Sequence, residues 1–163
     1  MNLRLQTDYA LRVLLYLAHT QGQASVEQMA TSYGISKDHL FKVVQQLTRF
    51  GYTLSRSGRV GGVRLAMPAD QIRVGKVIAD FEGRAGVIGC VNDPTVCRLE
   101  PGCALRSLLI KAEQSFFDTL DVSLADILRG NQVKQSGGVY NLLVAGRTIA
   151  SSPPEIAGPP AEG

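Results

Sequence analysis

Three cysteines, Cys90, Cys97 and Cys103, are the only cysteines of the chain, and they fall in one short segment broken by glycines and prolines. Six residues separate the first two and five separate the second two, so the spacing differs from the tight Cys-x-x-Cys pairs of zinc knuckles. A loop that wraps around a metal ion or an iron–sulfur cluster suits this spacing. Three thiolates also leave one coordination position for a weaker oxygen or nitrogen ligand, which an incoming molecule can displace.

The setting of these thiols favours metal binding over disulfide formation. The N-terminal sequence MNLRLQTDYALR lacks the apolar region and cleavage site of a signal peptide, and no run approaches the roughly 18 apolar residues of a membrane-spanning helix. We therefore expect a cytoplasmic protein with no membrane partner. An odd number of clustered thiols in a reducing compartment indicates a metal site.

The charges are distributed unevenly along the chain. Residues 1–80 carry ten Lys and Arg against five Asp and Glu, whereas the remainder carries seven against nine. Between Ser36 and Arg64 the only acid is Asp38, among six basic residues. A basic surface of this kind is typical of proteins that bind a phosphate backbone, although a solvated basic face on an ordinary domain is equally common.

The basic region has the pattern of a helix-turn-helix followed by a β hairpin. A first helix is predicted to start with Thr7 and Asp8 as its cap, and Ser25 is predicted to cap a second helix that stops at Gly34. A third helix from about Lys37 to Phe50 presents one apolar stripe. That stripe consists of Leu40, Val43, Val44 and Leu47. The following segment YTLSRSGRVGGVRLAM is predicted to form two short strands around a glycine-rich loop, as in a winged helix.

In a winged helix the third helix would enter the major groove of double-stranded DNA, and the hairpin would lie along the backbone or in the minor groove. Lys37 and Lys42 are expected to contact phosphates, whereas Ser36 and His39 are expected to lie near base edges. Arg59 is expected at the tip of the wing. The predicted DNA-binding residues are Ser36, Lys37, His39, Lys42, Gln45, Arg56 and Arg59.

These patterns predict a mainly α-helical protein with a small β wing. Behind the cysteine segment, apolar residues recur at helical spacing from about Ala104, and this long helix is expected to form a homodimer, although it could instead fold back on its own head. Ser123 and Asp126 resemble a capping box at the start of another short helix. The predicted regions are a DNA-binding domain at 1–82, a cluster-binding loop at 83–104, a dimerisation region at 105–130, and an extension at 131–163 that is disordered at its end.

Five segments together resemble the winged-helix family of regulators that contains the nitric-oxide-sensing repressor NsrR and the iron–sulfur regulator IscR. They cover about residues 1–128, and their order and the three cysteines make the resemblance specific. The segments are LQTDYALRVLLYLA, YGISKDHLFKVVQQLTRFGY, GRVGGVRLAMPADQIRVGKVI, CVNDPTVCRLEPGCALRSLL and FFDTLDVSLADIL.

The resemblance implies a homodimeric repressor in which Cys90, Cys97 and Cys103 are thiolate ligands of an iron–sulfur cluster, with 4Fe–4S favoured and 2Fe–2S as the alternative. It also implies that Asp8, donated by the other subunit, can complete the cluster. Without the resemblance, an acid at this position is explained by the dipole of its own helix. The IscR pattern has a histidine where this chain has Arg106, so ligation by that histidine is not expected here.

The expected function is transcriptional repression controlled by nitric oxide, which would dismantle the cluster and lower DNA affinity. One alternative is a regulator of the same fold that senses iron–sulfur supply or redox state. Another is a DNA-binding or adaptor protein in which zinc fixes the cysteine segment. An enzyme is not expected, because no catalytic set of residues or phosphate-binding loop occurs in a suitable context.

Overall fold

A computed structural model describes residues 3–56, 58, 61–83, 89–93, 95, 97–98 and 102–133. These parts of the chain form seven helices and one two-stranded antiparallel sheet, which confirms the mainly helical fold with a β wing. The tip of the wing around Arg59 and most of the predicted C-terminal extension lie outside the described residues. In chain order the elements are α1 Leu5–Thr20, α2 Val26–Tyr33, α3 Lys37–Arg49, β1 Thr53–Arg56, β2 Gly62–Leu65, α4 Val74–Glu82, α5 Gly89–Asn92, α6 Ala104–Thr119 and α7 Leu124–Val133.

The start of α1 differs from the sequence prediction. The helix begins at Leu5 with Arg4 at its N-cap, so the predicted cap at Thr7 and Asp8 is wrong. Thr7 is buried instead, and its hydroxyl donates a hydrogen bond to Oε1 of Glu82 at 2.5 Å. A partner 75 residues away in sequence therefore fixes this end of the helix.

The helix-turn-helix agrees with the sequence prediction. Ser25 and Gln28 form a capping box at the start of α2, and Gly34 ends that helix with a φ of 64°, a conformation that favours glycine. The apolar stripe of α3 is buried, so this helix packs against α1 and α2 and turns its polar side outward. The buried residues of α3 are Leu40, Val43, Val44 and Leu47.

The β hairpin is attached to the helical head by an extra pair of hydrogen bonds. Within the hairpin, Thr53 pairs with Leu65 and Arg56 with Gly62. The N–H of Ala24 donates to the carbonyl of Val63 at 3.0 Å, and the N–H of Val63 donates back at 2.8 Å. Because Val63 is also buried in the core, the register of β2 on the head is fixed.

The chain after the cysteine segment returns to the same core. The N–H of Gly75, in the first turn of α4, donates to the carbonyl of Leu120 at 2.9 Å, and the N–H of Leu124 donates to the carbonyl of Ile72 at 3.0 Å. Leu124 is fully buried in the core of the head. The C-terminal half of α6 and α7 thus pack on the head, whereas Leu105 and Leu108 in the first turns of α6 are exposed.

A capping box also starts α7, as the sequence predicts. The side chain of Ser123 accepts a hydrogen bond from the N–H of Asp126, and the Asp126 carboxylate accepts from both the N–H and the hydroxyl of Ser123. Hydrogen bonds from the Ser123 side chain and Arg129, together with the Ser123 N–H, lower the pKa of Asp126 to about 2. Asp126 therefore stays ionised and holds the start of α7 in place.

Within the part of the chain that the structure describes, no helix is both long and apolar enough to cross a membrane.

Candidate nucleic-acid interface and cysteine segment

The outward side of α3 carries the polar residues that the sequence singles out for DNA contact. Ser36 lies at the N-cap position, and its side chain makes no capping hydrogen bond. Lys37, His39, Lys42 and Gln45 follow on the helix, and all of these side chains are exposed. Lys42 and Gln45 lie opposite the buried stripe of α3, whereas Ser36, Lys37 and His39 are exposed around the N-terminal end of the helix.

Lys37 has an existing partner on this surface. Its Nζ lies 3.1 Å from Oε2 of Glu27 in α2, and both side chains are mostly exposed to solvent. An exposed ion pair of this kind contributes little to stability, so a phosphate can replace the Glu27 carboxylate at small cost. The pair holds the side chain of Lys37 beside the first turn of α3, the part of a recognition helix that approaches the DNA.

A groove of about 670 Å³ separates α3 from the β hairpin. Gln45 and Arg49 line it on the helix side, and Arg56, the last residue of β1, lines it on the hairpin side. Arg49 and Arg56 are exposed, so both can place a guanidinium along a phosphate backbone. Arg59, the predicted tip residue, lies outside the described residues.

A small network of hydroxyl groups holds the hairpin against α3. Thr48 donates its hydroxyl hydrogen to the carbonyl of Val44 at 2.9 Å. Its oxygen also lies 3.0 Å from the hydroxyl oxygen of Thr53 and 3.2 Å from that of Ser55. Because the Thr48 hydrogen is already used, Thr53 and Ser55 must donate to Thr48. The network links α3 to β1 at one side of the groove.

Phe41 is a residue of this interface that the sequence reasoning missed. Its side chain lines the groove and the residue is 50% exposed, although α3 buries four other apolar residues. Helical periodicity identifies the residues that face the core, and Phe41 falls outside that stripe. The sequence does offer a signal for Phe41, because an aromatic residue on the otherwise polar side of an amphipathic helix is unusual.

The three cysteines lie on the elements around the start of α6. Cys90 is in α5, Cys103 is at the N-cap of α6, and Cys97 lies between them. All three are free thiols and half-buried. Among the described residues, no three His, Cys, Asp or Glu side chains are gathered in an arrangement that could hold a metal ion. The donor types fit a thiolate-bound cluster, but the structure does not bring the predicted ligands together.

Arg106 ties the two cysteine-bearing helices to each other. Its Nε donates to the carbonyl of Cys90 at 2.7 Å, and its Nη2 lies 3.3 Å from the carbonyl of Val91. This side chain occupies the position where the IscR pattern has a histidine. It therefore contributes to the shape of the cysteine segment by holding the end of α5 against the first turn of α6.

Asp8, the predicted fourth ligand, is engaged within its own helix. Both of its carboxylate oxygens lie 3.0 Å from Nε of Arg12, one turn further along α1. The side chain remains 43% exposed, so it stays accessible from outside the chain. Asp8 belongs to no group of three potential metal ligands among the described residues.

Glu82 connects the start of α1 to the point where the chain leaves α4 for the cysteine segment. Its Oε1 accepts hydrogen bonds from the Arg4 N–H at 2.7 Å and from Thr7, and Arg4 Nε lies 3.3 Å from Oε2. Burial raises the pKa of Glu82, but the hydrogen bonds from Thr7 and Arg4 and the charge of Arg4 outweigh it and lower the pKa overall. Glu82 therefore ties the end of α4 to the turn of α1 that carries Asp8.

Comparison with known proteins identifies the fold. Residues 3–130 match the model of the Rrf2 family, described as an iron-dependent transcriptional regulator. An IscR structure from T. potens is 24% identical, covers 86% of this chain and 96% of its own, and gives a TM-score of 0.69. CymR (YrzC), the global cysteine regulator of B. subtilis, is 24% identical over 78% of this chain and 95% of its own, with a TM-score of 0.67. The oxidized form of Staphylococcus aureus CymR is 28% identical over 76% and 93%, with a TM-score of 0.61.

Proposed function

Because the chain belongs to the Rrf2 family of DNA-binding transcriptional regulators, which are not enzymes, we propose that it is a cytoplasmic, homodimeric repressor that loses its operator in response to nitric oxide. The observation that carries the proposal is the set of three free, half-buried cysteines on the segment between α4 and α6 of a head with a basic recognition helix. The resemblance to NsrR supports nitric oxide as the signal and an iron–sulfur cluster, 4Fe–4S in preference to 2Fe–2S, as the sensor.

The cluster would be held by Cys90, Cys97 and Cys103, with Asp8 of the second subunit as the fourth ligand. When bound, such a cluster supplies ferrous iron, to which nitric oxide binds strongly. The thiolates of this chain would keep the cysteine segment closed, and Arg106 would hold Cys90 near the start of α6. Asp8 would link the two subunits. Loss of these ligand bonds would free the segment after Glu82 and change the position of α1.

The energy needed for this control is modest. If loss of the cluster disfavours the DNA-binding conformation of the head by about 3 kcal/mol, DNA affinity falls more than a hundredfold. A free-energy difference of this size lies within the usual range of coupling energies. In the proposed dimer, two recognition helices would read a two-fold operator. Exposed Leu105 and Leu108 in the first turns of α6 offer apolar surface for the contact between subunits.

A related candidate function is a sensor of iron–sulfur supply or redox state with the same fold. The similarity to an IscR and to an oxidized form of CymR favours it as the second proposal. A zinc-stabilised DNA-binding or adaptor protein is the third.

Anaerobic titration with nitric oxide separates these functions. Iron, sulfide and zinc are quantified in the full-length protein, its absorbance is followed during the titration, and operator binding is measured on the same samples. Iron with sulfide, bleaching by a few nitric oxide molecules per cluster and a parallel loss of DNA binding support the main proposal. A cluster that does not react with nitric oxide favours the second function, and zinc without sulfide favours the third.

Replacing Asp8 by Ala tests its role as a ligand. The expected result is faster loss of the cluster absorbance in the presence of an iron chelator, by about tenfold, because a ligand to the cluster is removed. Arg12→Ala is the matched control: it breaks the same ion pair but keeps the carboxylate, so the cluster should persist. Equal behaviour of Asp8→Ala and the unmodified protein would show that Asp8 serves only its own helix.

Replacing Arg56 by Ala tests the hairpin side of the groove. If Arg56 neutralises one phosphate, the slope of log affinity against log salt concentration should fall by about one unit. The comparison is Lys111→Ala, which removes an exposed cation from α6, away from the groove, and should leave the slope unchanged. An unchanged slope for Arg56→Ala would exclude a phosphate contact.

A further inference from the structure

Among the described residues, the ring of Phe41 is not one of those that pack on the hydrophobic core, and the proposed sensing does not use it. It lies in the second turn of α3, and the residue is half exposed. Its neighbours along the accessible side of the helix are Lys42 and Gln45, both exposed and polar. An apolar ring at this place is suited to an apolar partner outside the chain.

The surroundings of Phe41 favour DNA as that partner. The ring lines the groove between α3 and the hairpin, and the same groove is bordered by Arg49 and Arg56. Two exposed guanidinium groups favour phosphates on the adjoining surface, so a ligand that fills this groove is anionic at its edges. The major groove of DNA offers one prominent apolar group to an inserted side chain, the 5-methyl group of thymine.

Gln45 lies one helical turn beyond Phe41 and lines the same groove. Side chains at positions i and i+4 of a helix have Cβ atoms about 5–6 Å apart, and successive bases of one strand are about 3.4 Å apart. The two side chains therefore reach the same base pair or neighbouring ones. A glutamine amide pairs with N6 and N7 of adenine, so both residues favour A·T pairs.

We infer that Phe41 is a specificity-determining residue that packs against the 5-methyl group of an operator thymine, with Gln45 reading an adenine of the same or the next base pair. The inference deepens the proposed function by naming the bases that α3 recognises. It rests on the DNA-binding part of that function and not on the response to nitric oxide.

A double-mutant cycle between protein and DNA tests the contact. The tightest duplex is first selected from a randomised pool with the full-length, anaerobically purified protein, whatever metal it carries, in the absence of nitric oxide. Each thymine is then replaced in turn by deoxyuridine, which removes only the methyl group. At one thymine in each half-site the replacement should weaken binding about fourfold, the factor expected for burial of one methyl group.

In Phe41→Ala the same replacement should have no effect, because the ring that covers the methyl group is gone. Phe41→Leu keeps an apolar side chain and should restore part of the discrimination. Leu54→Ala is the matched control, since Leu54 is exposed on β1 but does not line the groove, and it should retain the full fourfold difference.

The inference is overturned if, at every thymine, the ratio of affinities for the thymine and deoxyuridine duplexes is the same in the unmodified protein and in Phe41→Ala. It is also overturned if no replacement of thymine by deoxyuridine changes the affinity of the unmodified protein. The first result would indicate a structural role for Phe41, and the second would place its ring against another part of the complex. Circular dichroism confirms that the variants are folded. Because nitric oxide is absent throughout, failure of the sensing proposal leaves the result of this cycle unchanged.

Discussion

Cys103→Ser is expected to leave the protein unable to retain an iron–sulfur cluster and to make its DNA binding indifferent to nitric oxide. A serine hydroxyl does not ionise near neutral pH, so it cannot replace the anionic thiolate as a ligand. Changes in outer-shell residues of metal sites cost about 10–100-fold in affinity, and loss of a thiolate, a stronger ligand than a carboxylate, should exceed that range. Cys103 is also placed at the N-cap of α6, where the helix dipole favours a negatively charged ligand.

The measurement is the iron and sulfide content of the anaerobically purified variant, followed by operator binding with and without nitric oxide. Ser107→Ala is the control, because Ser107 is exposed in the first turn of the same helix and is not expected to touch the cluster. A normal cluster and a normal nitric oxide response in Cys103→Ser would contradict the assignment of this cysteine. Zinc bound without sulfide in the unmodified protein would support the structural alternative.

Leu124→Ala is expected to lower the stability of the protein strongly. Leu124 is fully buried in the core of the head, and removal of a buried leucine side chain costs about 2–5 kcal/mol in the free energy of unfolding. A loss of about 3 kcal/mol would lower the melting temperature by about 10 °C for a domain of this size. Thermal and urea unfolding of the cluster-free protein measure the effect, because bound metal would add its own stabilisation.

Leu54→Ala provides the comparison, since Leu54 is 45% exposed and its truncation should cost far less. A loss below about 1 kcal/mol for Leu124→Ala would mean that α7 is dispensable for the stability of the head.

The packing of Leu124 also bears on the proposed function. The cysteine segment leaves the core after Glu82 and returns to it by Leu120, so both of its ends are anchored in the DNA-binding head.

The local features of the fold were accessible from the sequence. The spacing of Leu40, Val43, Val44 and Leu47 correctly predicted the buried side of α3, because helical periodicity reports which side chains avoid water. The helix cap at Ser25 and the capping box at Ser123 were also predicted from residue type and spacing, whereas the bond that Gln28 returns to Ser25 was not.

Long-range contacts account for what the sequence did not reveal. Thr7 looked like a helix cap, but its hydrogen bond to Glu82 places it inside the helix and in the core. The return of Leu124 to the head depends on backbone hydrogen bonds with residues near Ile72, which no local pattern encodes. Assembly of the proposed cluster involves a metal and a second subunit, so the arrangement of its ligands depends on more than one chain.

The candidate interface likewise combines a local feature that the sequence predicts with a tertiary feature that it does not. Periodicity separated the accessible side of α3 from its buried side, so the exposure of Lys42 and Gln45 could be anticipated. The groove that adds Phe41 to this surface depends on how the hairpin packs against the helix, through Thr48 and its two hydroxyl partners. That packing is a tertiary property.

The hydrogen bonds between Ala24 and Val63 give β2 a second attachment, outside the hairpin. They anchor β2 to the turn between α1 and α2, in addition to its pairing with β1. A Cβ atom at Gly62 would lie 3.0 Å from the carbonyl oxygen of Ala24, so a side chain at this position would crowd the backbone of the anchor itself. If the hairpin contacts DNA as proposed, the charge of its tip can change without loss of the hydrogen bonds that hold β2 on the helical head.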